Sequence, residues 1–199
     1  MHASCLEFVK NNLKSEYIDN KNVIELGSYD INGTVRPIVD NFKPNIYLGS
    51  DISYHKTVDL VADVHYINKL FNENSVDLII STEMLEHVAD WKTVINNMKK
   101  ILKIGGYLLL TTRSKGFKYH NAPDFWRFEY IDFEKIFSDM EILSLEKDKQ
   151  VPGVFILAKK ISKNITDLSN IKLFSMKRTE IENEVLKKME IYKNFIDES

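Results

Sequence analysis

The sequence is poor in several features that mark particular protein classes. Its 199 residues include one cysteine, Cys5, so no internal disulfide can form, and no cysteine pair has zinc-site spacing. No apolar run is long enough to cross a bilayer and no signal peptide is apparent, so we expect a cytoplasmic protein. The 27 basic and 29 acidic residues give a net charge of −2, which predicts neither a nucleic-acid nor a membrane partner.

Hydrophobic residues make up 44% of the chain, and their pattern alternates between strands and helices. This alternation predicts an α/β domain over residues 1–160, with a parallel sheet built from βαβ units. The predicted strands are "NVIEL" (22–26), "NIYLGSD" (45–51), "DLVADV" (59–64), "VDLIIST" (76–82) and "GGYLLLTT" (105–112), and helices are predicted near 3–16, 34–41, 91–102 and 130–138. Two closing runs, "MEILSLEKD" and "VFILAKK", leave no room for a helix between them, so they should pair antiparallel.

Residues 161–199 differ from the rest because they contain no glycine or proline and many charges. Thr179 and Glu182 fit a capping box, and apolar residues then recur every three to four positions. We predict a C-terminal helical extension over 161–199 that docks on the domain. The alternative is a helix that forms a homodimer.

The stretch "VIELGSYDINGTVRP" (23–37) combines a strand end with a glycine-containing turn. Gly27 and Gly33 are six positions apart, so the turn is not the Gly-x-Gly-x-x-Gly of nicotinamide dehydrogenases, and it lacks the Lys-Ser/Thr of a P-loop. Three acids, Glu25, Asp51 and Asp63, lie at the ends of the first three predicted strands. Ligands of open α/β sheets bind at the carboxyl ends of the strands, where a carboxylate suits ribose hydroxyls. The alternative is that these acids are solvated.

The motifs "VIELGS", "YLGSD", "VADVH", "VDLIISTEMLEHV" and "LKIGGYLLLTT" together resemble those of class I S-adenosylmethionine-dependent methyltransferases, over about residues 20–160. The resemblance implies a Rossmann-like, seven-stranded, mostly parallel sheet with an antiparallel last strand and helices on both faces. It also implies S-adenosylmethionine as cofactor. The cofactor-binding residues that it implies are Glu25, Gly27, Ser28, Gly33, Asp51, Ile52, Asp63, Val64, Thr82 and Glu83.

A narrower resemblance joins "ELGSYDINGTVRP" with "HNAPDFWRFE" and points to methyltransferases that often accompany polysaccharide or glycan biosynthesis. It implies O-methylation of a sugar or another small-molecule hydroxyl. The alternatives are N-methylation of an amino sugar, metal-assisted O-methylation of a phenol, and a non-catalytic protein that binds S-adenosylmethionine or a partner.

The segment "TEMLEHV" places Glu83, Glu86 and His87 at helical spacing, and His120 follows the fifth strand. Two glutamates and two histidines could bind a divalent ion, which is an alternative that we do not favour. A second interpretation is that the acid and histidine orient the loop. A third makes His87 or His120 the general base, because imidazole titrates near neutral pH.

The stretch "KYHNAPDFWRFEY" (118–130) carries further candidates. Asp124 is a predicted catalytic residue that could accept a hydrogen bond from an acceptor hydroxyl. Trp126 could form an apolar wall for the acceptor, and Arg127 could bind an acidic group on it or pair with Asp124. The alternative is that Trp126 covers the core while Asp124 and Arg127 lock the loop.

Overall fold

The computed structural model describes residues 1–118 and 123–176. The strands in this part of the chain are β1 (Asn22–Leu26), β2 (Ile46–Asp51), β3 (Leu60–Val61), β4 (Val76–Thr82), β5 (Leu102–Arg113), β6 (Trp126–Arg127), β7 (Met140–Lys147), β8 (Gly153–Lys160) and β9 (Phe174–Ser175). Seven of them form one sheet, in the order β3-β2-β1-β4-β5-β8-β7. The helices are α1 (Ala3–Asn12), α2 (Ser15–Ile18), α3 (Arg36–Val39), α4 (Ile67–Leu70), α5 (Trp91–Ile101) and α6 (Tyr130–Ile136).

The strand directions confirm the predicted sheet. Strands β1 to β5 pair in parallel, whereas β8 is antiparallel to both β5 and β7. The chain moves from β1 to β2 and β3 on one side and to β4 and β5 on the other. The sheet therefore has a topological switch between β1 and β4, and ligands of such sheets bind beyond the carboxyl ends of the strands at that point.

Hydrophobic residues fill both faces of the sheet because successive strand side chains point to opposite sides. Ile79 of β4 joins the core cluster that contains α5 and α6, while Leu78 and Ile80 join the cluster that contains α1 and α2. Helices on both faces thus fix the rim at which the strands end.

The predicted first helix, over 3–16, is interrupted. Leu13 is buried and has extended backbone angles between α1 and α2, and the Asn12 side-chain amide donates to the Phe8 carbonyl oxygen at 2.9 Å. Burial of Leu13 and this side-chain bond end the first helix at Asn12, about one turn before the predicted end.

The described part of the chain beyond residue 160 also departs from the prediction. Residues 161–176 contain no helix; Leu168 packs into the core and β9 pairs antiparallel with β6. The Met176 amide then donates to the Phe125 carbonyl oxygen at 2.9 Å, so backbone pairing holds this segment extended. The predicted capping box at Thr179 and Glu182, the apolar stripe and the proposed dimer helix lie outside the described residues. Over residues 1–118 and 123–176, no helix has the length and apolar character needed to cross a membrane.

Candidate functional site

An open cavity of about 1210 Å³ lies at the carboxyl ends of β1, β2 and β4, at the topological switch. All ten residues predicted to bind the cofactor line it, together with His87 and Asp124. These residues therefore lie together at the carboxyl edge of the sheet, as expected for residues that end parallel strands. Further lining residues that the sequence did not suggest are Tyr29, Ile31, Met84, Pro123 and Phe125.

Both the backbone conformation at position 27 and the side chain of Met84 require a glycine there. Its φ is +84°, and a Cβ there would lie 2.8 Å from the Cβ and Cγ of Met84. The loop that follows is closed by Asp30, whose Oδ1 accepts from the Gly33 amide at 2.7 Å. The long Gly-x5-Gly turn is therefore an ordered wall of the cavity, built around an aspartate bridge.

Asp51 and Asp63 present carboxylates at the ends of β2 and after β3. The Asp51 oxygens accept from the amides of Tyr29 (3.2 Å) and Ser53 (3.1 Å), one bond per oxygen. A carboxylate can accept about four hydrogen bonds, so Asp51 retains capacity for a vicinal diol. Asp63 instead uses Oδ1 to cap the turn that follows, accepting from the His65 amide at 2.9 Å and from its Nδ1 at 2.6 Å.

Glu25 differs from these two acids because it is buried. The Tyr47 hydroxyl donates to its carboxylate, and the Arg36 guanidinium lies 4.6 Å from the Tyr47 ring centroid. Burial raises the pKa of Glu25 to about 7, although Tyr47 and Arg36 act in the opposite direction. Burial and the Glu25 charge likewise raise the pKa of Tyr47. Glu25 is thus not a solvated strand-end acid.

A family model described as a methyltransferase domain matches residues 1–147. The chain belongs to the methyltransferase domain family. It is an S-adenosylmethionine-dependent methyltransferase, and S-adenosylmethionine is its methyl donor. The cavity fits this molecule, since Asp51 can take the ribose diol and the exposed side chain of Ile52 offers apolar surface to a base. The individual binding roles of the ten residues remain predictions.

Solved structures of similar fold are methyltransferases with low sequence identity. One is a Haloferax volcanii methyltransferase complexed with its activator Trm112, with 14% identity, coverage of 81% of this chain and 90% of that chain, and a TM-score of 0.64. A Mesorhizobium loti S-adenosylmethionine-dependent methyltransferase has 14% identity, coverage of 79% and 98%, and a TM-score of 0.58.

Phosphoethanolamine N-methyltransferase 1 from Haemonchus contortus has 15% identity, coverage of 98% of this chain and 49% of that chain, and a TM-score of 0.62. No curated protein matches the chain. These identities support the shared fold, and neither they nor the family description point to polysaccharide or glycan biosynthesis.

A second cavity of this methyltransferase, about 440 Å³, adjoins the first. Six residues line both cavities and so form the shared wall: Met1, Ile31, Glu83, His87, Pro123 and Asp124. The second cavity is further lined by His2, Asn32, Glu86, Arg113, Phe117 and Arg127. A molecule in the second cavity would meet one in the first at this wall.

Glu83 lies at the centre of a buried polar network, with a positive φ of 51°. Its carboxylate accepts from Arg113 Nε and from both the amide and Nδ1 of His2, each at 2.6 Å. Burial favours the protonated acid, but Arg113 and His2 outweigh it and lower the pKa of Glu83. Sequence reasoning missed His2, because no local pattern shows that the start of α1 reaches the end of β4.

The alternative metal site uses acids whose oxygens are already engaged. Glu86 is buried and accepts from Thr112 Oγ1 at 2.7 Å, and burial raises its pKa. Glu83 is bound to Arg113 and His2. Across the described residues no group of three or more acids, histidines and cysteines is arranged to hold a metal ion. The fourth predicted ligand, His120, lies outside the described residues. Its predicted role as a general base therefore stays a prediction.

A hydrogen bond to the backbone orients the His87 ring. Its Nδ1 faces the Pro123 carbonyl oxygen, which can only accept, so Nδ1 carries the proton. This assigns Nε2 as the nitrogen with a lone pair. His87 lines both cavities, so its Nε2 is a candidate proton acceptor at the shared wall.

Arg127 and Asp124 require a correction. They form a buried bidentate ion pair, with both side chains about 1% exposed. Arg127 also binds the carbonyl oxygens of Phe117 and Lys118, so it ties together the two sides of the 119–122 segment. The pair therefore locks the loop, and the Arg127 donors that were predicted to bind an acidic acceptor group are used within the protein.

Trp126 also requires a correction. Its Nε1–H donates to the carbonyl oxygens of Val88 (2.9 Å) and Ala89 (3.1 Å), and its ring packs against the core. It lines neither cavity, whereas Phe125, the residue before it, lines the first. Pairing of β6 with β9 sets this orientation, and that pairing has no signal in the local sequence.

Proposed function

We propose that this methyltransferase methylates a hydroxyl group of a small molecule held in the second cavity, with His87 as the general base. The observation that carries the proposal is the position of His87 on the wall shared by both cavities, with Nδ1–H fixed on the Pro123 carbonyl. That fixed tautomer leaves Nε2 to accept a proton.

A base is needed because a neutral hydroxyl is a poor acid and must lose its proton as it is methylated. When bound, S-adenosylmethionine supplies an electrophilic methyl group on a sulfonium. His87 Nε2 takes the hydroxyl proton, and the two cavities hold the reactants next to each other, which removes much of the entropic cost of their meeting.

The two carboxylates on the shared wall are poorer candidates for this role. Glu83 accepts three hydrogen bonds from Arg113 and His2, and these donors lower its pKa. Asp124 is paired bidentately with Arg127. Both carboxylates would have to give up a charged partner in order to take a proton, whereas His87 would not.

A sugar hydroxyl is the acceptor that we favour within this proposal. The second cavity is of the size that takes a monosaccharide or a single aromatic ring, and eight of its twelve lining residues have polar side chains. The narrower resemblance of "HNAPDFWRFE" supports the same acceptor class.

The test is transfer of a radiolabelled methyl group from S-adenosylmethionine to sugar and phenolic alcohols, comparing wild type with His87→Gln. We expect wild type to label a hydroxyl, and His87→Gln to reduce turnover about 10²–10⁴-fold while cofactor affinity stays the same. Labelling restricted to amines, or undiminished turnover in His87→Gln, would overturn the proposal.

A further inference from the structure

The Glu25 side chain lines the first cavity although it is only 2% exposed. The Tyr47 hydroxyl donates to its Oε2. Its other oxygen, Oε1, receives no hydrogen bond from any residue in 1–118 or 123–176. A buried carboxylate with a single neutral donor is poorly stabilised as an anion, so burial favours the protonated acid.

The charged groups near Glu25 compensate a negative charge on it only in part. The nearby cation is Arg36, but its Nη2 donates to the Asp59 carboxylate. Asp59 and Asp51 add two negative charges that oppose ionisation of Glu25. On the other side of β1, the residue opposite Glu25 in β4 is the uncharged Ile80. Burial is the largest effect, and it raises the pKa of Glu25 to about 7.

Glu25 and Ser28 both line the first cavity with polar atoms that lack a partner among the described residues. The Ser28 hydroxyl is buried there and makes no hydrogen bond within this part of the chain, and Glu25 Oε1 receives none. S-adenosylmethionine carries a sulfonium and an ammonium group, so it brings net positive charge to the cavity. A positive charge close to a carboxylate stabilises the ionised form and lowers its pKa.

We propose that binding of S-adenosylmethionine releases the proton of Glu25 to solvent, so that the protein exchanges a buried proton for the positive charge of its cofactor. In the free protein Glu25 holds this proton because it is buried beside Asp51 and Asp59. In the complex the Glu25 carboxylate is a counter-ion of the cofactor. Affinity for the cofactor then rises with pH up to about 7 and is constant above it. The inference depends on cofactor binding in the first cavity and not on the identity of the acceptor.

Isothermal titration calorimetry of the full-length protein with S-adenosylmethionine measures the release. Titrations at one pH in buffers of different ionisation enthalpy give the number of protons released per cofactor bound. We expect about half a proton at pH 7, most of a proton at pH 6 and about a tenth of a proton at pH 8. Affinity should rise by up to about tenfold between pH 6 and pH 8.

Glu25→Gln assigns the released proton, because the amide does not ionise. We expect this variant to lose most of the release at pH 6 and pH 7, and its affinity to change little between pH 6 and pH 8. The matched control is Glu86→Gln, which replaces another buried glutamate whose pKa is raised by burial; Glu86 lines the second cavity but not the first. The control should release protons as wild type does.

Tyr47→Phe supplies a second measurement that decides if Glu25→Gln does not fold or does not bind the cofactor. It removes the hydrogen bond that stabilises the ionised Glu25, so the pKa of Glu25 in the free protein should rise further. We expect the proton release of this variant to persist at pH 8, where that of wild type is small. The same pH dependence as wild type would contradict the assignment to Glu25.

Three calorimetric results would overturn the inference: no proton release by wild type, proton uptake on binding, or equal release by wild type and Glu25→Gln. An equal loss of release in Glu86→Gln and Glu25→Gln would also overturn it, because the proton could then not be assigned to the first cavity. Failure of wild type to bind S-adenosylmethionine at any pH would contradict the cofactor cavity itself and with it this inference.

Discussion

Arg113 Nε and Glu83 Oε1 lie 2.6 Å apart in a side-chain pair that joins the carboxyl ends of β5 and β4. The same guanidinium binds Asp148 in the connection between β7 and β8. Arg113 therefore fastens three parts of the sheet beneath the second cavity, and its removal would leave two acids without their cation.

We expect Arg113→Met to lower the free energy of unfolding by about 3–5 kcal/mol, since loss of one partner leaves buried charges uncompensated. Urea unfolding at pH 7 measures the change. Arg113→Lys keeps the charge but loses the planar fork, so its loss should be smaller. Equal stability of Arg113→Met and wild type would contradict a structural role for the network.

Glu25 predicts a specific pH dependence of stability. Burial raises its pKa from 4.5 to about 7, so the folded state holds the Glu25 proton more tightly than the unfolded state. The contribution of Glu25 to the free energy of unfolding is fully present below pH 4.5 and is lost as the pH rises through 7. The shift in pKa corresponds to about 3 kcal/mol.

Unfolding by urea between pH 4.5 and 8 tests this prediction in wild type and Glu25→Gln. The glutamine keeps an oxygen that can accept from the Tyr47 hydroxyl but does not titrate. We expect the loss of stability toward pH 7 to be smaller in Glu25→Gln. Identical pH profiles would show that Glu25 ionises without cost in the folded protein.

Trp126→Phe separates the core role of this residue from a role at the acceptor. The substitution removes the N–H bonds to the Val88 and Ala89 carbonyl oxygens, so we expect a loss of about 1–3 kcal/mol in stability. Affinity for S-adenosylhomocysteine should not change, because Trp126 lines neither cavity. A loss of ligand affinity with unchanged stability would restore Trp126 to the binding site.

The lining of the first cavity could largely be predicted from sequence, because strand patterns decide where parallel strands end. Gly27, Asp51 and Asp63 follow apolar runs whose order in the sheet places them on one rim. The lining of the second cavity could not be predicted in this way, because it depends on contacts between residues that are distant in sequence. His2 reaches Glu83 from α1, and β9 turns Trp126 toward the core.

The same distinction explains the Asp124–Arg127 result. A spacing of three residues allows these side chains to pair, but it does not show whether the guanidinium faces the protein or a ligand. Here the carbonyl oxygens of Phe117 and Lys118 complete its hydrogen bonds. The pairing is a property of the folded loop, which is why the sequence left both interpretations open.

Calorimetric titration of wild type and Asp51→Asn with S-adenosylmethionine tests the central claim most directly. The matched control is Asp77→Asn, an acid on β4 that also accepts a backbone amide, from Asn22 at 2.9 Å, but lines neither cavity. We predict binding at one site per chain, weakened about 10–100-fold in Asp51→Asn and unchanged in Asp77→Asn. No binding by wild type, or equal affinity in Asp51→Asn, would contradict this account of the cofactor cavity.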